Sequence, residues 1–94
     1  MLEKEVEGKL TEGVRKRGGR AYKWVSPGAN GVPDRIVILP QGRIIFVELK
    51  TETGRLSKLQ KLQHAILKRL GCDVRVLYGA DDVAAFLAEI GGKT

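Results

Sequence analysis

Three ionic residues stand out by type and spacing. Asp34 follows Pro33, and fourteen positions later comes Glu48-Leu49-Lys50. Two carboxylates can hold a hard divalent cation through oxygen, and an ammonium beside them can orient a water or offset growing negative charge. The plain alternative is an Asp–Lys pair at an ordinary strand end. The chemistry is available only if the backbone brings all three residues to one face.

The elements around them point that way. Arg43 to Lys50 is rich in β-branched and aromatic residues and reads as a strand. Ile44 and Phe46 lie on one face, with Ile45, Val47 and Leu49 on the other, as in a strand covered on both sides. Glu48 and Lys50 continue the face of Ile44 and Phe46. Asp34 to Leu39 reads as the preceding strand, and Pro40-Gln41-Gly42 suits a three-residue hairpin loop with glycine in the left-handed position. If Leu39 pairs with Arg43, then Ile38 faces Ile44, Ile36 faces Phe46 and Asp34 faces Glu48. A two-residue loop would send Asp34 to the opposite face. The odd loop is therefore the expected one.

The remaining elements follow from periodicity. Leu2 to about Arg17 reads as a helix with Leu2, Val6, Leu10 and Val14 inward, acidic residues first and basic residues last. Glu7 borders its buried stripe and could reach toward the sheet. Arg20 to Ser26 reads as the first strand, with Trp24 in the core, and residues 27–33 form a glycine- and proline-rich loop leading into Asp34. It lacks the pattern of a phosphate-binding loop. Ser57 opens a helix to about Leu70, with Leu59, Leu62, Ile66 and Leu70 facing the core and Ser57 and Gln60 forming a capping box. Its Lys58 and Lys61 could meet phosphates. His64 is expected at the surface or boundary. Asp73 to Tyr78 is a fourth strand, parallel to the third through a right-handed crossover. Asp81 caps a last helix with Val83, Phe86, Leu87 and Ile90 as its stripe. The order is α-β-β-β-α-β-α, an α/β fold with a mixed central sheet and helices on both faces.

Ninety-four residues without an internal linker make one domain spanning 1–94. The net charge of +6 favours a polyanionic partner, most commonly nucleic acid. Cys72 is the sole cysteine and His64 the sole histidine, so neither an internal disulfide nor a single-chain zinc site is available. A metal would sit on oxygen, as magnesium or manganese do. No apolar run approaches membrane-spanning length, and the charged start Met1 to Glu5 is unlike a signal peptide. A cytoplasmic protein with neither membrane contact nor a small-molecule cofactor is expected.

Pro33-Asp34, a hairpin and Glu48-Leu49-Lys50 resemble the PD-(D/E)XK signature of restriction-endonuclease-like nucleases. The longer string is more specific. It runs from Lys23-Trp24-Val25-Ser26-Pro27-Gly28 through Gly31-Val32-Pro33-Asp34-Arg35 to Phe46-Val47-Glu48-Leu49-Lys50 and Leu59-Gln60. It resembles the VRR-NUC (virus-type replication-repair nuclease) family over nearly the whole chain.

The resemblance implies a restriction-endonuclease-like core and a DNA endonuclease dependent on Mg2+ or Mn2+. Asp34, Glu48 and the backbone carbonyl of Leu49 would hold the metal. Lys50 would activate water or stabilise charge, and both roles stay open. Gln60 would stand near the site. A first-helix acid, Glu7 or its rival Glu3, would complete it. Lys23, Ser26, Arg35, Arg55, Lys58 and Lys61 are candidate DNA contacts. Small members of the family imply a homodimer acting on four-way junctions in DNA repair. The alternative is a non-catalytic DNA-binding module that keeps the fold. It predicts salt-sensitive binding indifferent to Lys50.

Overall fold

A computed structural model describes residues 3–91. The elements are α1 (Glu3–Lys16), β1 (Arg20–Lys23), β2 (Arg35–Leu39), β3 (Arg43–Lys50), α2 (Lys58–Arg69), β4 (Asp73–Tyr78) and α3 (Gly79–Ile90), with a short 3-10 turn at Pro40–Gly42. Leu2 lies outside the described residues. The four strands lie in chain order in one sheet. β1, β2 and β3 are antiparallel neighbours, and β4 is parallel to β3.

The hairpin loop has the expected parity. Leu39 pairs with Arg43, Ile38 with Ile44 and Ile36 with Phe46. The turn needs two left-handed residues rather than one: Gly42 at φ 79° and also Gln41 at φ 69°. A side chain at positive φ is uncommon, and a fully exposed turn is where it is tolerated.

Strand alternation divides the sheet into two unlike faces. Val37, Leu39, Ile45, Val47, Leu49 and Leu77 turn to one of them. They form the core with Val6, Leu10 and Val14 of α1 and Val83 and Phe86 of α3. Each of these side chains, taken from water, contributes about 1.5–3 kcal/mol. α1 and α3 approach closely at Gly13, where a Cβ would overlap the Leu87 side chain. Arg17 ties the two helix ends together. Its guanidinium donates to the carbonyls of Gly13, Leu87 and Gly91 at 2.8, 3.0 and 3.0 Å.

On the other face α2 packs against β4, and the expected inward stripe is corrected. Leu59, Leu62 and Leu70 are exposed, while His64 is 4 % exposed and Gln60, Gln63, Ile66 and Leu67 are half-buried. The helix has turned its polar 60–64 edge inward, because this face of β3 ends in Glu48 and Lys50, which apolar side chains could not satisfy.

Three smaller differences have simple causes. β1 ends at Lys23 rather than Ser26. The Trp24 N–H still donates to the Asp34 carbonyl at 3.0 Å, after which the chain leaves the ladder for the loop. Trp24 is half-buried rather than core, its ring tilted against Phe46 with centroids 5.1 Å apart. Asp81 does not cap α3. The helix opens directly from β4 at Gly79, and the Tyr78 N–H donates to the Asp82 carboxylate at 2.8 Å.

Candidate active site

The site is assembled at one end of the β2–β3 hairpin. Asp34 sits immediately before β2, at the end of the 27–33 loop. That loop is pressed against the start of α2: at Gly31, with φ 97°, a Cβ would stand 2.6 Å from the Leu59 carbonyl oxygen. Only glycine combines that backbone angle with that approach. Asp34 is thereby fixed in depth, and its Oδ2 accepts the Leu49 N–H at 3.3 Å. Its Oδ1 is buried without a hydrogen-bond partner.

Glu48 is 4 % exposed. Its Oε2 accepts from Gln60 Nε2 at 3.1 Å and lies 3.7 Å from Lys50 Nζ. Its Oε1 is buried and unpartnered, 3.7 Å from His64 Nε2, which is also buried and unpartnered. Gln60 does two jobs. Its Oε1 accepts the Ser57 backbone N–H at 2.9 Å and its own backbone N–H donates to Ser57 Oγ at 3.1 Å, so the capping box aims the amide at Glu48. The cap that starts α2 and the contact to the carboxylate are one arrangement.

The electrostatics follow from the burial. Desolvation pushes the Glu48 carboxyl up to about 7, the Asp34 charge pushes the same way, and Lys50 offsets only part. Asp34 is also raised, by desolvation first, against the Leu49 N–H and Arg35, with Glu7 and Glu3 adding to the rise. His64 is pushed below its ordinary value by burial, then by Lys68 and Lys50. Two carboxylates that resist ionisation side by side, each with an unpartnered buried oxygen, fit a hard cation, whose charge would remove the penalty on both. Among the described residues no three His, Cys, Asp or Glu side chains converge as a ready ligand set. Backbone carbonyl, water and a ligand's own oxygens would have to complete the shell, which suits magnesium-like ions.

The described residues from 6 to 81 match the VRR-NUC domain along most of the chain. The chain belongs to the VRR-NUC family. Among relatives, "Putative nuclease p44" of Acyrthosiphon pisum secondary endosymbiont phage 1 is 51% identical over 79 residues, covering 84% of this chain and 85% of that protein. A solved VRR-NUC domain is 30% identical with a TM-score of 0.87, covering 95% of this chain and 97% of its own. A second solved structure, a VRR-NUC domain protein, shares the fold at 19% identity and a TM-score of 0.75, over 95% of this chain and 87% of that one. The mixed sheet and its element order are those of VRR-NUC structures, and the chain is a nuclease-family domain.

Asp34, Glu48 and Lys50, singled out by type and spacing, and Gln60, implied by the VRR-NUC resemblance, are together. Glu7 stands on the core side of the sheet, where its Oε1 meets Arg35 Nη2 at 3.2 Å. It still lies close enough to Asp34, as does Glu3, to act on it through space. Arg35 as a DNA contact is corrected. It is 5 % exposed and committed to Glu7, so no phosphate can reach it. Lys23, Arg55, Lys58 and Lys61 are exposed and Ser26 half-buried. His64 was missed. Its spacing of four from Gln60 put both on one helical face, and that was the available signal.

Proposed function

We propose that this VRR-NUC domain is a DNA endonuclease dependent on Mg2+ or Mn2+. It cleaves branched DNA, four-way junctions above all, as a homodimer. The observation that carries the reading is the pair of carboxylates, half-buried Asp34 and buried Glu48, each with a buried unpartnered oxygen and with Lys50 and Gln60 beside Glu48. Asp34, Glu48 and the backbone carbonyl of Leu49 would hold the cation. When bound it would supply Lewis acidity toward the scissile phosphate and a more acidic water.

The chain's own residues do the rest. Gln60 and the Leu49 N–H each hold one carboxylate oxygen, of Glu48 and of Asp34 respectively. Lys50 places an ammonium where negative charge grows on the phosphorane and near the attacking water. Beyond Lys50 a cleft of roughly 660 Å3 opens between residues 52–56, Lys61 and Tyr78. Arg55 and Lys61 line it and suit a phosphate backbone. Lys23 and Lys58 extend the exposed positive charge, in keeping with the chain's +6.

The dimer is supported by apolar surface. Tyr22, Ile38 and Ile44 lie exposed on the sheet face that α2 leaves open, beyond what a lone domain needs to show to water. Two-fold symmetry matches the paired cuts of a junction.

The test is cleavage of a four-way junction and of a linear duplex of equal sequence, with Mg2+, Mn2+ or EDTA. Metal-dependent cleavage that favours the junction is expected. Lys50→Ala should retain DNA binding and lose at least about a hundredfold in cleavage rate. A folded wild-type protein that cuts neither DNA with either metal would overturn the reading.

A further inference from the structure

The most unusual buried group outside the four residues assigned above is His64. It is 4 % exposed on α2, and its Nε2 has no hydrogen-bond partner. It points at Glu48 Oε1, which is equally buried and equally unpartnered, across 3.7 Å. Two complementary orphans facing each other in a dry place are a costly arrangement unless they serve one another. Gln60, one turn earlier on the same face, already donates to Glu48 Oε2 at 3.1 Å.

We propose that His64 is a positioning residue, its Nε2–H directed at Glu48 Oε1 so that α2 grips both carboxylate oxygens from positions four apart. The last torsion of a glutamate side chain is broad. One donor leaves the carboxylate free to rotate about that contact, whereas one donor on each oxygen fixes the plane. Each oxygen keeps a further lone pair for a cation. Outer contacts of this kind orient ligands and commonly change metal affinity by about ten- to a hundredfold. The imidazole does not touch the reacting atoms, and its neighbours Lys50 and Lys68 leave Glu48 as the acceptor it faces. The proposal rests on the metal-site reading of Asp34 and Glu48.

Mn2+ binding to the full chain without DNA, followed by electron paramagnetic resonance, tests it. His64→Leu, which keeps volume but has no donor, should weaken the apparent Kd about tenfold. His64→Gln, which restores an N–H, should recover most of the loss. Equal Mn2+ affinity in wild type and a folded His64→Leu variant would overturn the proposal alone, as would a His64→Gln variant no better than His64→Leu. An absence of Mn2+ binding by wild type would overturn the metal reading and the proposal with it. Should His64→Leu fail to fold, long-range proton–nitrogen correlation on the wild-type imidazole decides. The Nε2–H tautomer supports the contact, and an Nδ1–H tautomer overturns it.

Discussion

Glu48→Gln should stabilise the metal-free protein, and only above a definite pH. The Glu48 carboxyl rises from 4.5 to about 7 on folding, through desolvation and then the Asp34 charge. Between those values the folded chain holds a proton that the unfolded chain has released. Stability therefore falls as pH rises through this window and levels off above about 7. The rise corresponds to about 3 kcal/mol at pH 8. Glutamine carries no charge at any pH, can still accept from Gln60, and escapes the loss. For a domain of this size each kcal/mol moves the melting temperature by about 4–8 °C, so the variant should gain roughly 12–24 °C over wild type at pH 8. At pH 4.5 the gain should vanish. The assay is thermal unfolding in EDTA at both pH values, repeated at pH 8 with saturating Mn2+, which should raise wild type and leave the variant unmoved. A Glu48→Gln variant whose melting temperature tracks wild type across the whole pH range would refute the argument that burial strains this carboxylate.

Gly13→Ala should cost about 1–3 kcal/mol in urea unfolding, because its methyl group overlaps Leu87 where α1 meets α3. An unchanged midpoint would mean that the Leu87 side chain turns aside at little cost. Arg35→Leu should also destabilise by about 1–3 kcal/mol, through lost packing and an abandoned Glu7. DNA affinity at fixed salt should not change, since Arg35 is sealed from the surface; a clear drop in binding by the folded variant would contradict that.

The sequence made some of this plain and hid the rest, for reasons that differ from element to element. The hairpin was legible because loop length and side-chain alternation are coupled: once Pro40-Gln41-Gly42 is odd, Asp34 and Glu48 must share a face. The stripes of α1 and α3 were legible because a largely apolar surface, that of Val37, Ile45 and Val47, awaited them. α2 misled because its leucines form a regular stripe while its docking face is polar. Leu59 and Leu62 lost that face to Gln60 and His64 once Glu48 had to be met. Periodicity records how apolar residues recur, not which side of a helix its neighbour demands. Arg35 misled for a related reason: a basic residue beside the motif looks like a phosphate contact until an acid from α1 is found against it.

The polar underside of α2 carries a mechanical consequence. α1 and α3 are anchored mainly by hydrocarbon, whereas α2 meets the sheet with only half-buried Ile66 and Leu67 and one hydrogen bond, from Gln60 to Glu48. Gln60 thereby ties that side chain to the first turn of α2, the same turn that carries Lys58 and Lys61. In this small fold the floor beneath the carboxylate pair and its basic rim are built from a single turn of helix.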